Sequence, residues 1–482
     1  MEAALNYEPV RKLFQAKRFR EAEEPCKQLV RANPLDAQSW VLLAEALLHQ
    51  GFGRAARRLF ERAWLLDPQA IWVEAAKQAL GRTPDGDERF DIEGLLHVPR
   101  VTITAAVLAG NEEQSIADCL LSLEGAVDEI VVFATGADRT AEIAGQIAGV
   151  RVVPLAWQDH FAATRNEAMT YLHTDWVIWF DADERLLPED ASCVREAAGV
   201  FHTHPLLPVL HIWHLNKMRD TVVHDFSQVR LFPLRPGVRY WGRVHEQVGT
   251  NAGLYADDTY RRPVKIRYLH DGYDPDVVVR TGKLERNLRL LRLMLDEEPD
   301  NPGHWLFYGR ESLLAGLDEE AERALLEALR LAAEQPRFGR VLDIYNLLVQ
   351  LSMKRGNWEE AERWCREALE VNPDFPDAFF WLAQVQMKQA EALYREAEKG
   401  VRQAQRSLAT YRGGVTADYR IGAWMAEMTL ADIAFRSGKW SEARKLYARH
   451  MHRPEAQQLA LKRLAWMDKE GAGPGRDAKP GV

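Results

Sequence analysis

Trp176-Val-Ile-Trp-Phe-Asp-Ala-Asp-Glu184 places five apolar residues directly before an acidic cluster. Five apolar residues bounded by charge have the length of a buried strand, not of a helix. Working outward, VTITAAVL (Val101–Leu108), Glu129–Phe133 and Val150–Pro154 carry the same signature. Between them, the apolar stripe Ile116, Leu120, Leu123 and the segments 141–147 and 162–171 have helical character, with Asn111 as N-cap of the first helix. Alternating strands and helices predict a mostly parallel sheet with ligands at its C-terminal edge. Residues i and i+2 of an extended chain project to one side. Asp181 and Asp183 are therefore expected to aim two carboxylates at one point beyond β-strand 176–180. Hard oxygen donors with open positions suit Mg²⁺ or Mn²⁺, and a diphosphate leaving group needs that neutralisation.

On both sides of this segment the chain repeats itself. Ala22 and Ala56, Pro34 and Pro68, and Cys26 and Phe60 are each 34 residues apart. Ala37–Pro68 sets Trp40, Leu43, Ala44, Leu47, Gly51, Ala56, Phe60 and Ala63 at tetratricopeptide spacing. Small residues allow two helices to approach, Gly51 turns the chain, and Pro68 stops the second helix. The pattern returns around Trp305, Gly316 and Ala328, around Tyr345, Gly356 and Pro373, and around Leu430, Gly438 and Tyr447. Phe379, Leu382 and Ala383 open a further copy whose second half gives way to a long charged helix near 391–406. The expected organisation is N-terminal repeats over 1–82, a Gly-, Pro- and charge-rich linker over 83–100, the α/β domain over 101–280, C-terminal repeats over 281–468, and a disordered tail over 469–482.

Composition narrows the function class. With 62 Lys and Arg against 71 Asp and Glu, the net charge of −9 argues against a nucleic-acid partner. No apolar run approaches the roughly 20 residues of a membrane span. No signal-peptide core follows the first charges. Cys26, Cys119, Cys193 and Cys365 show neither disulfide nor zinc spacing, which fits a reducing cytoplasm. His202, His204, His211 and His214 are too irregularly spaced for a metal site, and Trp213, Tyr240 and Trp241 read as packing rather than sugar platforms.

Five blocks in order carry a family resemblance: LAGNEEQSIADCLLSL, VDEIVVFATGADRTAEIA, HFAATRNEAM, DWVIWFDADERLLP and VRLFPLRPGVRYWGRVHEQV, followed by YLHDGY and GKLERNLRLL. Together they resemble the inverting family-2 glycosyltransferases of GT-A fold, in the bacterial branch that adds tetratricopeptide repeats and includes peptide S-glycosyltransferases. The resemblance implies a nucleotide-sugar donor held by Asn111, Glu112, Thr135, Asp138, Arg165 and Asp181. It implies Asp183 as the main metal ligand, Asp181 on metal or ribose, and His270 as a third ligand or a diphosphate contact. Trp241, Arg243 and His245 would line the acceptor side, with Glu246 as the base. Two departures bear on the donor. Ala134 stands where relatives carry an acid that contacts the nucleotide base, and Gly110 where a lysine or aromatic residue is common.

Stacked hairpins form concave surfaces suited to extended peptides, so the expected acceptor is a peptide or protein. Self-association through the repeats is a further expectation. The competing reading is a repeat scaffold whose nucleotide-sugar domain is catalytically idle. A nucleotidyltransferase is disfavoured, because LAGNEE is acidic where a basic glycine-rich phosphate loop would be needed.

Overall fold

The computed structural model describes residues 5–218, 221–254, 256–270 and 283–469. The proposed disordered tail lies outside these residues, apart from its first position. The chain divides into two compact units, Met1–Ala315 with Gln335–Phe338, and Gly316–Glu334 with Gly339–Val482.

The first unit opens with helices Glu8–Gln15, Phe19–Ala32, Ala37–Leu48, Gly53–Leu66 and Val73–Leu80. The repeat positions behave as their spacing requires: Ala22, Cys26, Leu43, Ala44, Ala56 and Ala63 are fully buried. Asp36 caps the third helix by accepting from Ser39 N at 2.7 Å. Gly51 makes the turn with φ +85°, a conformation that favours glycine. Segment 83–100 differs from an open linker. It contains helix Phe90–Leu96, whose Ile92 and Leu96 are buried, and its Pro84 and Asp85 carbonyls accept from Gly53 N and Arg54 N. Arg62 completes the clasp, donating to Leu96 O at 2.9 Å and to Glu196 at 2.6 Å.

The sheet that follows uses β1 (Ile103–Ala109), β2 (Glu129–Ala134), β3 (Val150–Pro154), β4 (Trp176–Asp181), β5 (Glu184–Leu186), β6 (Leu207–Met218), β7 (Thr221–Asp225), β8 (Val229–Pro233) and β11 (Thr259–His270). Strands β9 (Val238–Trp241) and β10 (Gln247–Thr250) form a separate antiparallel pair. The order is β3-β2-β1-β4-β8-β6-β11-β5, with β7 on β6. Strands β1 to β4 are parallel to one another where they pair, while β8 runs antiparallel to β4. Strand β4 is buried along its apolar length because both faces are covered.

One continuous core joins Trp40 and Leu59 of the N-terminal helices, through Ile92 and Leu96, to Ile103, Phe180 and Tyr268 of the sheet. Arg262 on β11 donates to the carbonyls of Leu66 and Leu35, at 3.0 and 2.6 Å. Lys265 and Arg267 lie over the Trp64 ring and pair with the buried Asp190. The N-terminal repeats and the α/β domain are thus one packed body.

Helices Lys283–Glu297 and Pro302–Leu314 group with the first unit, so the C-terminal array does not form a single block from 281. The second unit holds helices Asp318–Glu334, Val341–Lys354, Trp358–Val371, Pro376–Thr410, Ala426–Arg436, Trp440–Arg449 and Gln457–Lys469. Helix Pro376–Thr410, 35 residues long, is the charged helix that interrupts the repeat. Among the described residues no helix is long and apolar enough to cross a membrane.

All four cysteines are free thiols. Burial pushes Cys26 up to about 12, and Cys193 and Cys365 up to about 11. At pH 8 roughly a thousandth or less of such a thiol is thiolate, the reactive form. Native protein should therefore resist alkylation by iodoacetamide at pH 8, with four thiols labelling after guanidinium denaturation; mass spectrometry counts the adducts.

Candidate active site

Strand β1 has β2 and β3 on one side and β4 on the other, so the chain changes direction across the sheet between β1 and β4. A crevice opens at the C-terminal ends of strands at such a point. Leu108 of β1 is in register with Asp181 at the end of β4. Ala182 and Asp183 then turn the chain into β5, whose Glu184 pairs with His270 at the end of β11.

That turn separates the two aspartates. Asp181 Oδ1 accepts from Arg165 Nη2 at 2.8 Å, and Oδ2 accepts from Arg230 Nη2 at 2.6 Å. Asp183 Oδ2 instead meets His270 Nε2 at 3.2 Å, and His270 Nδ1 meets Asn216 Oδ1 at 2.9 Å. The expectation that both carboxylates aim at one point from extended backbone is corrected: residues 182–183 are a turn, and Asp181 is claimed by two guanidiniums. Among the described residues no three His, Cys, Asp or Glu side chains converge as a ready-made metal cluster.

Arg165 lies 2% exposed, beneath the rings of Trp179 and Tyr240, at 4.7 and 5.5 Å from their centroids. Its Nε donates to Glu246 at 2.8 Å, so one guanidinium joins the candidate base to Asp181. Arg230 Nη2 also donates to Glu184 at 2.8 Å, and Glu184 accepts from Asp181 N and meets His214 Nε2, both at 2.8 Å. Burial would raise the Asp181 carboxyl, but Arg230 and Arg165 outweigh it and hold it well below the usual range. Burial would likewise lower His270, yet Asp183 outweighs it and favours the imidazolium. Glu112 shifts the other way. Burial, then Asp183 and Asp181, raise its carboxyl.

The remaining donor-side residues brace the two loops. Asn111 Oδ1 accepts from Ala137 N at 3.1 Å, Glu112 N donates to Thr140 Oγ1 at 2.8 Å, and Asp138 accepts from Glu113 N at 3.2 Å. Thr135 Oγ1 donates to Ala109 O at 3.2 Å. Asn111 is thus a loop tie, and Ser115 takes the N-cap position of helix Ile116–Leu121. The loops touch so closely that a Cβ on Gly136 would lie 2.3 Å from Gly110 O. A side chain at Gly136 would hold them apart.

The acceptor-side block divides. Glu246 faces Arg165, whereas Arg243 pairs with Glu297 and His245 lies 3.2 Å from Glu311 and 3.1 Å from Arg310 Nη2. His245 holds φ +52°, unusual for a non-glycine residue. Burial lowers His245, while Glu311 settles at about 2 because His245 and Arg310 outweigh its burial. Trp241 Nε1 donates to Thr250 O at 3.2 Å. Tyr240 packs edge-on against Trp179 at 5.8 Å, and Trp213 Nε1 donates to His224 at 2.9 Å.

Residues 104–199 match the Glycosyl transferase family 2, and residues 10–71 and 342–385 match Tetratricopeptide repeat families. The chain carries a family-2 glycosyltransferase domain. The SPbeta prophage-derived glycosyltransferase SunS of Bacillus subtilis is 28% identical over 261 residues, which is 53% of this chain and 60% of that protein. The chain thus spans about 60% of the length of that curated relative. A TPR repeat-containing protein of Synechococcus elongatus is 28% identical over 279 residues, 56% of this chain and 67% of its own length. Glucosyl-3-phosphoglycerate synthase from Mycobacterium tuberculosis is 21% identical with a TM-score of 0.21, covering 24% of this chain and 43% of its own. S. aureus TarS 1-349 is 15% identical with a TM-score of 0.29, covering 57% of this chain and 93% of its own. Superpositions this poor add nothing to the geometry.

In the glycosyltransferase domain, sequence reasoning passed over Arg230, Glu184 and His214 as members of the network. One signal was present for Arg230: a lone arginine in VRLFP, on a strand otherwise apolar, must find a buried partner. Arg286 was also missed; burial lowers it, and Glu246 acts on it from close by.

Removing Arg230 takes the guanidinium from the buried Glu184 and leaves Asp181 with Arg165 alone. Arg230→Met should cost about 3–5 kcal/mol, read by urea denaturation followed through tryptophan fluorescence. Arg230→Met combined with Glu184→Gln should recover part of that loss.

Proposed function

We propose that the protein is a metal-dependent inverting glycosyltransferase that moves a sugar from a nucleotide-sugar donor to a peptide or protein acceptor. The supporting observation is position: Asp183, His270 and Glu112 gather at the C-terminal ends of β1, β4 and β11, beside the crevice between β1 and β4. Asp183 and His270 supply a carboxylate oxygen and an imidazole nitrogen 3.2 Å apart, a pair that would hold a divalent ion once the imidazole is neutral. One oxygen and one imidazole donor suit Mn²⁺ better than Mg²⁺, which prefers all-oxygen surroundings. When bound, the ion neutralises the diphosphate as it leaves.

The chain's own residues do the rest. In an inverting transfer the acceptor atom bonds to the anomeric carbon from the face opposite the leaving oxygen. The sugar–phosphate bond breaks, and the acceptor's proton passes to a carboxylate. Glu246 is the carboxylate proposed for that role. Arg165 orients it through Nε and ties it to Asp181, so base and donor pocket share one rigid reference. The braced loops holding Asn111, Glu112 and Asp138 form the donor wall. Free, buried thiols fit a cytoplasmic setting.

One observation favours the alternative of a scaffold with an idle domain: Asp181 and Glu246 are both engaged by Arg165. Turnover separates the two. Hydrolysis or transfer across a panel of nucleotide sugars, with and without Mn²⁺, should identify one donor. Asp183→Ala should reduce that turnover by at least about 100-fold with circular dichroism unchanged. If no nucleotide sugar binds at millimolar concentration under any metal condition, the transferase reading fails.

A further inference from the structure

A cavity of about 440 Å³ lies along the loop that carries Glu246. His245 and Gln247 line it, while Glu246 between them pairs with Arg165. Trp241, Met294 and Phe307 supply an apolar wall. Glu297, Glu298 and Asp300 line the cavity where helix Lys283–Glu297 ends. The last carbonyls of a helix add further negative character there.

Among the described residues the charge is only partly balanced. Glu297 pairs with Arg243, while the described partners of Glu298 are Asn301 Nδ2 at 3.1 Å and His304 Nε2 at 3.8 Å. The Asp300 carboxylate has no hydrogen bond or ion pair among the described residues; only its backbone carbonyl is used, by Gln335. Burial lowers both His245 and His304, so neither imidazole offsets the acids at neutral pH. An apolar wall with unpaired acceptors suits a long aliphatic stem ending in N–H donors and positive charge.

We propose that this cavity takes a lysine or arginine side chain of the acceptor peptide, docking it next to the residue presented to Glu246. The inference rests on the peptide-acceptor reading of the site and adds a substrate class to it: peptides with a basic residue close to the modified one.

Fluorescein-labelled hexalysine, titrated into the full chain and followed by anisotropy, tests it. Wild type should bind saturably, and Glu298→Gln/Asp300→Asn should bind at least tenfold more weakly. Hexalysine acetylated on every Nε should not bind. Glu391→Gln/Glu396→Gln, neutralising exposed carboxylates on the long helix, should bind as wild type does. Circular dichroism verifies that each variant is folded. The proposal is overturned if wild type shows no saturable binding, if the cavity variant binds unchanged, or if the acetylated peptide binds equally. It is likewise overturned if the remote pair weakens binding as much, since the net charge of −9 would then suffice, or if maltohexaose displaces the peptide. Because binding needs no donor, Asp183→Ala should capture hexalysine normally, so docking and transfer fail separately.

Discussion

Buried guanidiniums must be paired, and Arg165 and Arg230 both find Asp181 at the end of a buried strand. Arg165 comes from helix Phe161–Met169, Arg230 from β8, and each brings a further acid, Glu246 and Glu184. Taking these charges from water costs several kcal/mol per ion, which only tight mutual pairing offsets. The site's geometry follows. β8 must lie beside β4 to deliver Arg230, and the loop after β9 must fold back to deliver Glu246. Breaking one ion pair would leave another unpaired charge, so the network holds as a unit.

The second consequence concerns Asp183. With Asp181 held by two guanidiniums, the acidic pair divides into one carboxylate tied to arginines and one tied to an imidazole. Asp183 sits in the turn and meets His270, which Asn216 orients from the other side of the ring. Two neighbouring carboxylates thus acquire different roles from their surroundings alone. Glu112 is raised chiefly by burial and then by both aspartates.

The repeats do more than extend the molecule. Arg62, Arg262 and the Trp64 contacts, with the shared core from Trp40 to Tyr268, make the N-terminal hairpins a buttress for β11. Since β11 ends at His270, that buttress sets the position of the imidazole. Helices Lys283–Glu297 and Pro302–Leu314 do the same for the loop around Glu246, through Glu297, Arg310 and Glu311. Repeat-derived helices thereby reach both sides of the site.

Local pattern was enough to read much of this. The strands of β1 to β4 show as apolar runs and the hairpins as Ala and Gly spacing, properties that depend on neighbours a few residues away, where period and propensity act directly. Arg165 and Glu246 stood out only through the family resemblance. The partner of each charge was not legible, because Asp181 and Arg230 are 49 residues apart and Arg165 and Glu246 are 81. Nor was the packing of 83–100, whose polar composition hid Ile92 and Leu96 against the core. Sequence by itself determined the order of elements and the kinds of chemistry present. Tertiary structure alone decided which carboxylates are neutralised and which remain exposed to a ligand, because pairing depends on distances that close only when the sheet and helices pack.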